Sequence, residues 1–372
     1  MAALETDPLA ASPATSRFYP LRVRAVGRET RDAVTIVFDV PPELKEKFRF
    51  IQGQYLTLRA RINGEEVRRS YSICSGAQDG LLRVAVKRTL GGIFSNWMLE
   101  NVKAGCTLDV MPPEGRFHVR LSPEHTKNYV AFAAGSGITP VLSIIKTTLF
   151  TEPGSMFTLF YGNRASSTIM FREELAELKD TFLDRFTLIH IMTREHQDIE
   201  LLNGRIDAVK AEALLKQFCR FEEIDTIFLC GPQQMTDEVS ARLRELGVSD
   251  ARIKIELFTV KDSERKAARK ISPASREAEC EVTLVLDGAQ HVFSMQKDTE
   301  SVLDAALHRG IDVRHSCKSG VCATCRAKLV SGKVDMDANY ALEDYEIARG
   351  FVLTCQSYPI TDQIIVDYDQ DN

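Results

Sequence analysis

Over the first third of the chain, apolar and polar residues alternate in short runs. These are AVTIVFDV (33–40), QYLTLRARI (54–62), RRSYSIC (68–74), LRVAVKR (82–88) and CTLDVMP (106–112). Turn signals such as Asn63-Gly64-Glu65 and Asp79-Gly80-Leu81 separate them. A period of two interrupted by turns predicts an antiparallel barrel over residues 17–122.

The period then changes. YVAFAAG, FTLFYGN, FTLIHIM, TIFLCGP and IKIELF are compact apolar runs, and amphipathic stretches such as FREELAELKDTF and DAVKAEALLKQF stand between them. Strands alternating with helices predict a parallel sheet covered by helices over 125–260. Residues 261–278 are charged, carry Pro273 and lack large apolar side chains apart from Ile271, the composition of an exposed linker. From 279 to 372 a third texture begins, with a hairpin around Asp287-Gly288 and a short helix closed by Gly310.

Composition narrows the partners. Of 372 residues, 44% are hydrophobic and 27% charged, and the net charge is −5, which argues against a nucleic-acid binder. Met1–Ser16 lacks the cationic start and apolar core of a secretory leader. The most apolar run, Tyr129–Ile145, is broken by Gly135, Gly137 and Pro140, so no membrane span is expected and a cytoplasmic location is. In that compartment nine cysteines point to metal before disulfides.

Three of the nine lie in HSCKSGVCATC: Cys317-x4-Cys322-x2-Cys325. A fourth, Cys355, follows after 29 intervening residues in FVLTCQSYP. This is the plant-type [2Fe–2S] spacing, in which one loop supplies three thiolates and a second element the last. Structural zinc is the other reading, but it usually draws on two knuckle pairs. Gly320 offers unusual backbone angles, and His315 is expected to be a solvated neighbour. The remaining cysteines share no spacing and read as small hydrophobes.

Other candidates are weaker singly. AAGSGITP (133–140) follows a strand; Gly135 and Gly137 allow a tight turn, and Pro140 suits the first turn of the helix that would face a pyrophosphate. A lone G-x-G also occurs in ordinary strand–helix turns. YGNR and CGPQQM end further strands at the same carboxyl edge, where ligands bind. Arg164 and Arg172 can meet a ribose 2′-phosphate, although Arg172 is equally readable as a surface arginine. In the barrel, Arg69, Tyr71 and Ser72 offer a phosphate partner, a flat ring and a hydroxyl, and Gly92 with Ser95 precedes a helix; alone, these are ordinary surface types.

Together and in this order, Arg69-x-Tyr71-Ser72, Gly92-x-x-Ser95, Gly135-x-Gly137-x-x-Pro140, Cys230-Gly-Pro and the cysteine set resemble the ferredoxin–NADP reductase superfamily with a plant-type ferredoxin domain fused at the C-terminus. The resemblance runs from Phe18 to Gln370. It implies a multidomain protein: an FAD-binding antiparallel β-barrel, an NAD(P)H-binding α/β domain and an α+β (β-grasp) ferredoxin domain. It implies FAD in preference to FMN, NADPH in preference to NADH, and a [2Fe–2S] cluster. By the same resemblance Arg69 would bind flavin phosphate, Tyr71 would pack on the isoalloxazine, and Ser72 would lie near flavin N5. Val86, Lys87 and Arg88 would flank the flavin tail, with Gly92 and Ser95 at the flavin phosphate. Gly135, Thr139 and Cys230 would surround the nicotinamide, and Glu256 and Phe258 would lie near the flavin. Ser72, Cys230 and Glu256 are the catalytic candidates. Stretches such as FIQGQYLTLRARINGEEVRRSYSICSG and KVDMDANYALEDYEIARGFVLTCQSYP are similar to reductases of ring-epoxidising oxygenases, with reductases of steroid or aromatic-ring hydroxylases as the alternative. The partners implied are the oxygenase subunits of a multicomponent monooxygenase.

Overall fold

In a computed structural model, residues 17–258 and 279–370 are described. The expected linker 261–278 and the segment Met1–Ser16 lie outside them. The chain divides after Leu257 into two compact units.

The first unit begins with six antiparallel strands: β1 (Tyr19–Thr30), β2 (Ala33–Asp39), β3 (Tyr55–Ile62), β4 (Glu65–Ser72), β5 (Leu82–Lys87) and β6 (Thr107–Val110). They pair in the order β4-β3-β6-β1-β2-β5. A bridge between Ile73 and Val84 brings the two outer strands together and closes the barrel. Alternate residues such as Leu21, Val23, Ile36, Leu58 and Val84 fill the interior, and Phe94 and Met98 of helix α1 (Ile93–Asn101) join them. β1 escapes a reading of the sequence alone. Its alternation is present, but arginines and Gly27 occupy the outward positions and lower its apolar signal.

Five parallel strands follow: β7 (Asn128–Ala134), β8 (Met156–Asn163), β9 (Phe186–Met192), β10 (Ile224–Cys230) and β11 (Ile253–Glu256). Their order is β11-β10-β7-β8-β9, so the chain builds outward from β7 and then returns to its other side. That reversal opens a crevice at the carboxyl ends of β7 and β10. Helices α2 (Ile138–Thr151) and α3 (Arg172–Thr181) pack on one face; α4 (Ala208–Phe218) and α5 (Gln233–Glu245) pack on the other. Asp207 caps α4 by accepting from the Lys210 amide at 2.8 Å.

Charged groups tie the barrel to the parallel-sheet region. Arg83 Nη2 donates to both Glu174 oxygens at 2.8 Å, and Lys146 meets Glu174 Oε1 at 2.8 Å and Asp79 at 2.5 Å. Glu29 Oε1 accepts from the Phe171 amide at 2.5 Å, at a residue held in the left-handed region with φ 57°. Ser143 Oγ on α2 adds a bond to the Ser75 carbonyl at 2.7 Å.

The second unit is a five-stranded mixed sheet in the order β13-β12-β18-β14-β16. Its members are β12 (Glu279–Leu286), β13 (Ala289–Gln296), β14 (Arg326–Ser331), β16 (Phe351–Leu353) and β18 (Gln363–Asp367); β15 (Val334–Met336) and β17 (Ser357–Pro359) form a small separate pair. Asp287 and Gly288 both have positive φ, as the two-residue turn of the β12–β13 hairpin requires. The helix Val302–His308 lays Val302, Leu303, Ala305 and Ala306 on the sheet, and Ser301 caps it. A helix over a mixed sheet is the expected α+β arrangement.

Candidate functional site

The sites grow from strand ends. Ser72 is the last residue of β4 and Glu256 the last of β11; Ser72 Oγ donates to Glu256 Oε2 at 3.1 Å. Cys230, the last residue of β10, is aligned with Glu256 in the parallel register and is fully buried. Three residues distant in sequence therefore meet in one place. Burial pushes the Glu256 carboxyl up to about 8 against the opposing pull of the Ser72 hydroxyl. Burial, and secondarily Glu256, raises the Cys230 thiol well above its usual range.

In the barrel, the Tyr71 ring stands 6.0 Å from Phe94, tilted by 34°. Arg69 is exposed, with Nη1 donating to the Arg68 carbonyl at 2.7 Å. Val86 is wholly buried, so its side chain belongs to the barrel core. Arg88 is bound to α1 through Asn96 and Glu100 at 3.0 and 3.3 Å. Ser95 Oγ accepts from the Thr89 amide at 3.1 Å and closes the loop ahead of α1; a β-carbon on Gly92 would stand 2.7 Å from that oxygen. Phe258 is 37% exposed.

At the crevice, Gly135 takes φ 55°, which favours glycine, and a β-carbon on Gly137 would lie 2.0 Å from the Cys230 carbonyl oxygen. Thr139 Oγ1 donates to the Ser136 carbonyl at 3.0 Å, and Pro140 occupies the first turn of α2, where no amide hydrogen is needed. Sequence reasoning missed Tyr161. This fully buried residue of β8 donates its hydroxyl to the Gly135 carbonyl at 2.9 Å. The signal it offers in the sequence is a tyrosine directly before the Gly162-Asn163 end of the strand. Lys87 Nζ would lie 3.6 Å from a β-carbon at Gly135; burial, then Arg164, lowers its pKa. Arg164 is exposed, and its carbonyl accepts from the Arg194 amide at 2.9 Å. Arg172, the first residue of α3, is also exposed; it lines a polar cleft of about 780 Å³ with Arg28 and Glu29.

In the second unit the four thiols assemble as two pairs: Cys317 is hydrogen-bonded with Cys322, and Cys325 with Cys355. The bond from Cys322 draws the Cys317 thiol below its usual range. Among the described residues, no group of three or more His, Cys, Asp or Glu converges as it would on one ion. Two pairs side by side suit two irons bridged by sulfides better than one tetrahedral zinc. Lys318, Gly320 and Ala323 all have positive φ, and the Ser319 amide points at Cys317 Sγ from 3.3 Å. Thr354 Oγ1 donates to the Cys325 carbonyl at 2.9 Å, fixing the strand end that carries Cys355. His315 differs from expectation. It is 8% exposed, and its Nδ1, 2.9 Å from the Val313 carbonyl, is held by the backbone just before the cysteine loop. Cys74 and Cys280 are buried as expected, whereas Cys106 and Cys219 are partly exposed.

Comparison with known proteins agrees with these three regions. Residues 20–119 match the oxidoreductase FAD-binding domain, 132–241 the oxidoreductase NAD-binding domain, and 284–359 the 2Fe-2S iron-sulfur cluster binding domain. The chain is 46% identical over 352 residues to a subunit of 1,2-phenylacetyl-CoA epoxidase of Escherichia coli (strain K12), covering 95% of this chain and 98% of that one. It is 35% identical over 361 residues to the ferredoxin reductase component of 3-ketosteroid-9-alpha-monooxygenase of Rhodococcus rhodochrous, covering 96% and 98%. Phthalate dioxygenase reductase shares the fold, with a TM-score of 0.56 and 23% identity over 94% of this chain and 98% of that one. Among the described residues no helix is long and apolar enough to cross a membrane. The chain is an oxidoreductase and belongs to the family of oxygenase reductase components in which FAD-binding, NAD-binding and 2Fe-2S cluster binding domains follow one another on a single polypeptide.

Proposed function

We propose that this protein draws reducing equivalents from NADPH and delivers electrons singly to the oxygenase subunits of a phenylacetyl-CoA epoxidase. The observation that carries the reading is the 46% identity to the Escherichia coli protein, spread over 98% of its length. The 35% identity to the ketosteroid component favours a steroid hydroxylase as the second reading. When bound, FAD accepts two electrons as a hydride and releases them one at a time, which matches nicotinamide to a one-electron [2Fe–2S] carrier.

The chain's own residues bind, orient and hold protons. Gly135 leaves room for a pyrophosphate at the crevice, Gly137 lets the start of α2 sit against the Cys230 carbonyl, and Lys87 and Arg164 put positive charge beside that turn. Thr139 and Pro140 fix the start of α2 behind that turn. Arg164 and Arg172 select the 2′-phosphate of NADPH. Arg69, Tyr71, Gly92 and Ser95 receive the flavin, with the Val86 backbone at its margin. Glu256 carries a proton at neutral pH and is oriented by Ser72, while Cys230 closes the nicotinamide side to water. Cys317 with Cys322 and Cys325 with Cys355 each hold one iron. Soluble oxygenase partners in the cytoplasm complete the reading.

Reconstitution with phenylacetyl-CoA oxygenase subunits tests it. NADPH oxidation tied to phenylacetyl-CoA consumption is expected, with kcat/KM for NADPH above that for NADH. Coupling only to a steroid hydroxylase would select the second reading. Arg172→Ala should raise KM for NADPH and leave NADH unchanged, whereas Arg164→Ala, which also removes charge beside the pyrophosphate, should raise KM for both and for NADPH the more.

A further inference from the structure

Gln356 directly follows the fourth cysteine and is 7% exposed. Buried amides need partners, and the two N–H groups of this one are shared among three acceptors, the sulfur sharing a hydrogen with a carbonyl. Its Nε2 lies 2.9 Å from the Cys355 carbonyl, 3.2 Å from the Lys318 carbonyl and 3.6 Å from Cys355 Sγ. It thus spans both elements that present thiols: the loop through Lys318 and the distant ligand through Cys355. Gly320 makes room for it, since a β-carbon there would stand 3.3 Å from Gln356 Cγ and 3.0 Å from the Ala338 carbonyl oxygen.

We propose that Gln356 is a positioning residue that raises the reduction potential of the iron–sulfur centre by donating an N–H to Cys355 Sγ. The inference rests on the assignment of Cys355 as a ligand. A thiolate accepts more strongly than a thiol, because a hydrogen bond to an ionised group is reinforced by charge. Adding one electron places more negative charge on the ligand sulfurs. A donor fixed beside one of them therefore stabilises the reduced state more than the oxidised state. The bond to Lys318 aims the amide, and the apolar surroundings of Cys355 keep water from replacing it.

The test uses the full chain, purified anaerobically with its cluster, and EPR-monitored potentiometry. Gln356→Met retains length and removes the N–H. Its reduced fraction against a common donor should fall about tenfold in equilibrium constant, ~59 mV for one electron. In wild-type protein labelled with 15N at glutamine side chains, pulsed EPR of the reduced centre should reveal a coupled 15N that Gln356→Met loses. Merely bridging the loop would not produce that coupling. An unchanged potential in Gln356→Met, or no glutamine 15N coupling in the wild type, overturns the proposal while the [2Fe–2S] signal itself stands. A wild-type protein with no such signal would sink the ligand assignment, and this inference with it.

Discussion

Ser72 and Glu256, 184 positions apart, are joined by a 3.1 Å hydrogen bond from hydroxyl to carboxyl between the barrel and the last parallel strand. The carboxyl titrates near 8 because burial disfavours its charged form, and the Ser72 bond opposes that shift. The rate of hydride transfer from the nicotinamide nucleotide should therefore show an inflection near pH 8. Glu256→Gln should abolish the inflection. Ser72→Ala should move it higher and slow the step about tenfold, ~1.4 kcal/mol. Stopped-flow absorbance across pH checks both. The sign for stability also follows: a carboxyl raised from 4.5 contributes fully below that value, and its contribution is lost as pH rises through about 8.

Tyr161→Phe removes one hydroxyl beneath the glycine turn without changing the ring. Loss of a single hydrogen bond of about 1 kcal/mol should raise KM for the nucleotide ~3–10-fold. Flavin content and the visible spectrum should not change. A steady-state comparison with wild type decides it.

Arg83 and Glu174 clasp the barrel to α3 with side chains only 17% and 21% exposed. Removing one partner leaves the other charge half-buried; Arg83→Met should destabilise the first unit by about 1–3 kcal/mol, below the full cost of a wholly buried pair. Urea unfolding followed by flavin fluorescence should reach its midpoint earlier. Replacing both residues with apolar ones should recover part of the loss.

Paired thiols predict metal content. Cys322→Ala and Cys355→Ala break different pairs, yet each should eliminate the whole cluster, since two bridged irons need both ends. Iron and acid-labile sulfide analysis should fall to background in both, while Cys106→Ala and Cys219→Ala should keep wild-type values.

The cysteine spacing and the glycine turn can be read directly, because their chemistry is local in sequence. The barrel and the parallel sheet are legible from the change of period between β5 and β7. What stays hidden is tertiary. Strand β1 carries arginines on its outer face, which mask its alternation. Tyr161 resembles a core aromatic until its hydroxyl is seen under Gly135. His315, expected as a solvated neighbour, is buried, and the cysteine loop that follows it turns through three left-handed residues that include the non-glycines Lys318 and Ala323. No propensity anticipates that curvature. The meeting of Ser72, Cys230 and Glu256 is implied by family resemblance; only the register of β10 with β11 gives it a physical basis.

The Gly137 backbone has ordinary angles, so its identity is dictated by space alone: the carbonyl oxygen of Cys230 fills the place where a methyl would go. Evolution has no small step available at that codon. Even alanine would wedge α2 away from β10 and widen the floor of the proposed dinucleotide crevice, so a saturation library sorted for turnover should return glycine alone.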